Sequence, residues 1–555
     1  MALNQESPTD VEKTMPPAPT MDPKSELESD KSGTGNDFSE LEEKKKYPSG
    51  FKLTVIVVAL CMCLFLCGLD QTVITTAVPI ITNEFHALED IGWYTAAYLL
   101  TTSAFQIAYG KLFTPFNIKI VFLIALAIFE IGSIICAAAP SSTVLIVGRA
   151  IAGLGAAGMF PGGTLILVHS APLERRPALL GITTGTFGIA TLLGPFIGGA
   201  FADSVTWRWC FIINVPLGVV TAAVIAWFVH TPVHPMYRQW TVKQKLAYTR
   251  LPEIFVLVAA LVCLVLALQW GGAIYPWSDG RVVATLTVFS VLTTVFVAVH
   301  IFLPGYRTVP TEILRNRSMW FSALFAATTS GAMFVAVTYL PLYFQAIKGA
   351  SALQSGVDVM PLILGFLVMS ILAGIITNIT GYYNISMLIC PVLASIGAGL
   401  ISTFSVDTPS PQWIGYQALL GFGIGFGLQQ PILVAQTVLE EKDVPFGVAF
   451  INMMQMLGGA VFVAVAQNIF QNKLVNQVSV AIPEVEASSL LEGGATNFGA
   501  IFSEEQIAIL LPIYSDVLNE VFYIVVGLCA ATIIGALGTE WKSTKKANTA
   551  KSDKA

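Results

Sequence analysis

The sequence predicts an all-α polytopic membrane protein with fourteen transmembrane helices. Three observations carry this. Of 555 residues, 55% are hydrophobic and only 12% are charged, a balance far too apolar for a soluble chain of this length. Apolar runs repeatedly reach the roughly 20 residues that cross a bilayer as a helix. The charges gather in the tails and in the connections between those runs, so the net charge of −6 says little alone. The eight cysteines (Cys61, Cys63, Cys67, Cys136, Cys210, Cys263, Cys390 and Cys529) all fall inside apolar runs. They read as small buried hydrophobes, not as a disulfide framework or a metal site.

Residues 1–49 are rich in Ser, Pro, Glu, Asp and Lys. Such a segment cannot bury a core, and a disordered tail is expected. Its polar character also argues against a cleavable leader. Lys44, Lys45, Lys46 and Lys52, around the start of the first span, place this end in the cytosol. Hydropathy then gives spans near 53–76, 92–112, 118–138, 143–168, 179–201, 209–229, 252–271, 283–303, 319–344, 357–378, 384–404, 412–435, 446–469 and 520–540. On the expected cytosolic side the connections and their edges hold Lys111, Lys119, Arg175, Arg176, Arg238, Lys243, Lys245, Arg250, Arg307, Arg315, Arg317 and Lys442. The other side holds Arg208, Arg281, Lys348 and Lys473. That roughly threefold bias follows the positive-inside rule. Lys542, Lys545 and Lys546 put the tail 541–555 in the cytosol as well. A long acidic outer loop is expected over 470–519. In it Ser503-x-x-Gln506 has the form of a capping box, and Pro512 is expected to end the helix that follows.

The stretch 148–199 organises the rest. Arg149 is the one charge in its span, and a lone arginine there is costly enough to mark a site. Ala190, Gly194 and Gly198 recur every four residues, so they share one helical face and admit a close neighbour. Pro195 beside them removes a backbone hydrogen bond and invites a kink.

These residues resemble the major facilitator superfamily. Arg149-x-x-x-Gly153-x-Gly155 resembles its fourth-helix motif. Ala190-x-x-x-Gly194-Pro195-x-x-Gly198-Gly199 resembles its fifth-helix antiporter motif, with alanine where the family usually has glycine. Leu69-Asp70-x-Thr72-x-x-x-x-Ala77-x-Pro79 resembles the first helix of the fourteen-span drug:proton antiporter branch. Trp207-Arg208-Trp209-x-Phe211-x-Ile213-Asn214-x-Pro216-x-Gly218 is similar to fungal toxin and multidrug efflux pumps of that branch. One loop departs from the superfamily. Gly110-Lys111-Leu112-Phe113-Thr114-Pro115 lacks the usual aspartate and first arginine, which puts a charge-built cytosolic latch in doubt. A weak internal repeat matches Arg149, Gly153 and Gly155 with Gln417, Gly421 and Gly423, and Gly194 with Gly458. The resemblance and the repeat imply a major facilitator fold. An N-terminal six-helix bundle is expected over 50–229, a cytosolic linker over 230–250, two extra helices over 251–303 and a C-terminal six-helix bundle over 304–540.

Three ionisable groups fall at similar depth in the outer half of their spans: Asp70, Glu130 and Arg149. Burial disfavours a charged carboxylate and a nearby arginine favours it, so moving one past the other toggles a proton. Proton coupling through this set is the expectation. The candidate substrate lining is poor in charge: Trp93, Tyr98 and Gln106 in the second span, Tyr339 and Tyr343 in the ninth, Gln417 and Gln429 in the twelfth and Gln455 in the thirteenth. Tyr94, Phe105, Phe334, Phe344, Gln345, Gln430 and Asn452 belong to the same groups. Aromatic rings with a few amides suit a small, amphipathic, mostly uncharged organic substrate.

What is missing narrows the choice. No Gly-x-x-x-x-Gly-Lys-Ser/Thr phosphate loop occurs, so the energy is expected from a proton gradient, with no cofactor. No His/Cys cluster has metal-ligand spacing, no catalytic constellation points to an enzyme, and nothing supports nucleic-acid binding. The leading expectation is an antiporter exporting toxins, drugs or secondary metabolites. It is expected in the plasma membrane, with the vacuolar membrane as the alternative. A siderophore or basic amino-acid carrier of the same fold competes with it. A transporter-like sensor is a weaker reading, because the expected C-terminal tail is short.

Overall fold

The computed structural model describes residues 50–113, 115–171, 176–229, 239–249, 251–272, 275–302, 313, 315–439, 443–482 and 503–543. The expected disordered tail over 1–49, most of the C-terminal tail and part of the 230–250 linker lie outside them. The described part of that linker includes a short helix, Val242–Thr249.

Among the described residues the chain is helical apart from one bridge between Gly271 and Tyr275. The first half holds α1 (Phe51–Thr72), α2 (Ile74–Phe85), α3 (Ile91–Leu112), α4 (Ile118–Ala137), α5 (Ser142–Ser170), α6 (Arg176–Ser204), α7 (Trp209–Ile212) and α8 (Asn214–Phe228). Then come α9 (Val242–Thr249), α10 (Leu251–Trp270) and α11 (Gly280–Phe302). The second half holds α12 (Arg317–Ala346), α13 (Ala352–Asp358), α14 (Met360–Thr380), α15 (Asn384–Ile401), α16 (Ser410–Gly427), α17 (Gln430–Val438), α18 (Val444–Ala481) and α19 (Glu504–Gly538).

Local chemistry explains several boundaries. Asn117 and Asn316 cap α4 and α12 by accepting from backbone N–H groups. Pro361 and Pro431 open α14 and α17, where a missing N–H costs nothing. Ser503 and Gln506 form the expected capping box at the start of α19.

Two expectations about the outer loop need correction. Pro512 does not end a helix; α19 runs through it to Gly538. Leu510, Tyr514, Val517 and Leu518 beside it are buried, and that packing outweighs one lost hydrogen bond. The loop expected over 470–519 is helical at both ends, because α18 continues to Ala481 and α19 begins at Glu504. Gln467, Asn468 and Asn472, at the end of the apolar run of α18, find partners inside the protein. Asn468, for example, donates to the Gly271 carbonyl.

Twelve helical stretches among the described residues are long and apolar enough to cross a bilayer. Two expected spans, on α3 and α10, are helical but fall short of that measure. Thr95, Thr101, Thr102, Ser103 and Gln106 make α3 more polar, and the apolar part of α10 is only Glu253–Leu268. Helix α10 lies against α3 and α18, while α11 packs mainly on α10 with 6% of its span buried.

The internal repeat survives as repeated packing. Arg149 donates to the Tyr94 carbonyl at 2.9 Å, and Gln417 donates to the Asp358 carbonyl at 3.0 Å. Four residues on, Gly153 lies against the Tyr98 carbonyl and Gly421 against that of Leu362. Gly155 meets α4 as Gly423 meets α15. Gly194 presses α6 onto Thr72 of α1, and Gly458 presses α18 onto Ala327 of α12. In each case a side chain would hold the helices apart.

Candidate functional site

The centre of the first half is an ion pair. Arg149 Nη1 on α5 lies 2.6 Å from Asp70 Oδ2 on α1, and both residues are 0% exposed. Its Nε donates to the Tyr94 carbonyl, and its guanidinium sits 4.4 Å from the Tyr98 ring centre and 5.9 Å from that of Phe211. Those faces attract the cation. Asp70 Oδ1 accepts from Asn214 Nδ2 at 3.1 Å, and that amide also meets Ser133 Oγ at 3.2 Å. Removing one member of such a buried pair costs about 3–5 kcal/mol, because the other charge is stranded. Asn214 was visible only as one letter of the motif that opens the sixth span. A neutral amide carries no cost that singles it out in a sequence.

Glu130 is half-buried on α4. It does not join the pair: both carboxylate oxygens are sealed and have no hydrogen-bond partner among the described residues. Its carboxylate lies against Gly218 of α8, where a Cβ would collide with it.

The motif on α6 lies on α1, α2 and the second half. Thr72 Oγ1 donates to Thr191 O at 3.2 Å, and Thr76 Oγ1 to Pro195 O at 2.9 Å. Ala190 approaches Gly68, Gly198 faces the Val73 carbonyl, and Gly199 faces Ala352 of α13. Gln345 of α12 donates to the Thr76 carbonyl at 3.1 Å. Gln467 of α18 donates to Glu89 O at 3.2 Å and Leu88 O at 3.4 Å. Together these bonds close the expected outer end across the two halves. Nearby, Asp90 accepts from Ser142 Oγ, and Tyr94 OH donates to the same hydroxyl at 2.9 Å. Burial raises the Asp90 carboxyl from its ordinary value, against the pull of the Ser142 bond.

Between the halves lies a cavity of about 90 Å³. Drug-sized sites run to roughly 300–1,000 Å³, so a bulky substrate needs the halves to part. Helix α1 contributes Cys67, Gln71 and Thr72 to its wall, on the same helix as Asp70. Of the expected lining residues, Gln106, Gln429, Gln455, Phe334 and Asn452 are in the wall. Among the described residues no charged side chain is in it.

The remaining expected lining residues are placed elsewhere. Tyr98 stacks on Arg149. Tyr339 donates to Gln467 Oε1 at 2.9 Å, and Tyr343 to the Ser405 carbonyl at 2.8 Å. Gln417 holds the Asp358 carbonyl, and Trp93 packs half-buried in the core of the first half. Aromatic side chains in a helical bundle serve packing as readily as binding, and spacing alone does not separate the two.

A sealed carboxylate–guanidinium pair within apolar helices, beside an uncharged cavity between two repeated halves, defines a membrane transporter. Residues 60–463 match the family model of the Major Facilitator Superfamily, and the chain belongs to that superfamily. It is 68% identical over 506 residues to a thioclapurine efflux transporter of Claviceps purpurea, covering 91% of this chain and 93% of the relative. It is 46% identical over 510 residues to an efflux pump of Arthroderma benhamiae, covering 92% and 95%. Among solved structures, a bacterial homolog to the human lysosomal transporter Spinster, inward-facing and unoccupied, matches with a TM-score of 0.64 at 14% identity. That match covers 88% of this chain and 98% of the other, and it speaks for the fold alone.

Proposed function

We propose that this protein is a proton-coupled antiporter that exports a small, uncharged, amphipathic organic toxin by alternating access. Thioclapurine, the compound in the name of the Claviceps purpurea relative, is the first candidate substrate. One observation carries the reading. Helix α1 holds Asp70 in the sealed pair and, at Cys67, Gln71 and Thr72, walls the charge-free cavity. Movement of α1 on substrate binding therefore reaches the ion pair directly. Asp70 exchanges the proton, Arg149 sets its affinity, and Glu130 is the reserve carboxylate. Gly153, Gly155, Ala190, Gly194, Pro195, Gly198 and Gly199 form the surfaces on which the helices move. The uncharged wall argues against charged cargo such as basic amino acids.

A proton entering down the membrane potential yields about 2.3 kcal/mol per 100 mV. At about 150 mV one proton sustains roughly a several-hundred-fold gradient of a neutral substrate. The reading needs no cofactor and no catalytic step. It takes fourteen spans, both termini in the cytosol and residence in the plasma membrane. The test is reconstitution into proteoliposomes with an imposed pH gradient. Thioclapurine should accumulate against its gradient, and a protonophore should abolish this. Accumulation that ignores both the gradient and the protonophore contradicts the reading.

A further inference from the structure

A chain of polar contacts runs from the seam between the halves to the ion pair. It starts at Gln467 on α18, held by Tyr339 OH at 2.9 Å. Gln467 is 1% exposed and grips the carbonyls of Leu88 and Glu89 in the other half. Those carbonyls belong to the single turn Leu88–Asp90, which leads into α3. Asp90, the last residue of that turn, accepts from Ser142 Oγ, which in turn accepts from Tyr94 OH. The carbonyl of Tyr94 receives Nε of Arg149, and Arg149 Nη1 meets Asp70. The hydrogen bonds and the ion pair are joined through the backbone of the Leu88–Asp90 turn and through Tyr94 itself, and only the Gln467 bonds to Leu88 and Glu89 cross between the halves.

We propose that Gln467 and Ser142 are positioning residues for Arg149: the closed outer seam holds the Leu88–Asp90 turn, and that turn aims the arginine at Asp70. Opening of the outer end moves α18 away from the turn and breaks the Gln467 bonds. The turn and the Tyr94 carbonyl are then free to shift, and Arg149 loosens from Asp70. A carboxylate that loses its arginine partner takes up a proton more readily. The proton is thus loaded when the outer side is open, which is the side from which it must enter. Closure restores the grip and favours release. The inference rests on the proposed role of Asp70 and adds how the seam reports to it.

The titratable groups that face the pair are Cys67 on α1, Tyr98 on α3, Glu130 and Cys136 on α4 and Cys210 on α7, while the Tyr94 hydroxyl and Asp90 meet at Ser142. None of them is altered in the variants below.

The experiment measures substrate–proton exchange by the full chain in proteoliposomes as a function of pH, with thioclapurine as the probe. Gln467→Ala and Ser142→Ala should each move the midpoint upward by about half a unit to one unit, part of the ~1–3 units that an adjacent arginine supplies. Ser142→Thr keeps the hydroxyl and should restore the wild-type midpoint. Tyr339→Phe is the milder second variant should Gln467→Ala fold poorly, and it should shift the midpoint in the same direction by less. Rates that fall equally at every pH, with no shift of the midpoint, overturn the proposal and leave these residues a structural role. Asp70→Asn is run in parallel. If it removes the titration, an unshifted midpoint counts against the chain of contacts alone. If it leaves the titration intact, the role of Asp70 fails and the inference fails with it.

Discussion

Arg149 reaches from α5 to place Nη1 2.6 Å from Asp70 Oδ2 on α1, with both side chains closed off from solvent. The pair is held from several sides at once. Tyr94 supplies a carbonyl, Tyr98 a ring face and Asn214 an amide. Such a pair is a poor source of stability, but the two charges depend on each other.

Arg149→Ala should strand Asp70 and destabilise the protein by about 3–5 kcal/mol. Arg149→Lys should rescue little, because an ammonium cannot serve Tyr94 O and Asp70 in the fork geometry of a guanidinium. Thermal unfolding in detergent would show both. In whatever fraction remains folded, the transport optimum should move toward higher pH.

On α6, Gly198 and Gly194 should respond differently to alanine. A Cβ at Gly198 meets the backbone carbonyl of Val73, which cannot step aside. A Cβ at Gly194 meets chiefly the Thr72 side chain, with the Val73 backbone nitrogen behind it. Gly198→Ala should therefore cost the full ~1–3 kcal/mol of overpacking. Gly194→Ala should be rescued in part by Thr72→Ala. Transport rate and the amount of protein in the membrane are the readouts, and equal damage by both glycine variants would contradict the packing account.

Of the amides in the cavity wall, Gln106 has a sealed Oε1 with no partner among the described residues. A substrate donor is the natural occupant. Gln106→Leu should raise KM by about two- to tenfold, the value of one hydrogen bond. Tyr343→Phe should leave KM unchanged and cost about 1 kcal/mol of stability, because its hydroxyl serves Ser405 O instead.

The charges were legible in the sequence and the neutral partners were not. Asp70 and Arg149 stand out because an ionised group in an apolar span is expensive. Nothing comparable marks Asn214 or Gln467, whose importance comes from what the fold brings beside them. The glycines of α6 were legible because small residues at one helical face have few other uses in a membrane protein. The reach of α18 and α19 was missed because the apolar runs stop earlier than the helices. Tyr339 and Tyr343 were misread as lining because a tyrosine looks the same in a wall and in a core.

The topology can be checked without a substrate. Both tails should resist protease added to sealed cells and become cleavable once the membrane is opened. Cleavage of either tail from outside would contradict an even number of spans with cytosolic ends.

The most direct measurement of the central claim is uphill transport by Asp70→Asn. The substitution keeps the shape and removes the titration; its amide offers one acceptor oxygen to the two donors Arg149 and Asn214, and Arg149 loses its counter-charge. In proteoliposomes with an imposed pH gradient, the variant should still bind substrate. It should neither concentrate it nor move protons when substrate is added. If Asp70→Asn still accumulates substrate against its gradient, the proton site lies elsewhere, and Glu130 is the carboxylate to test next.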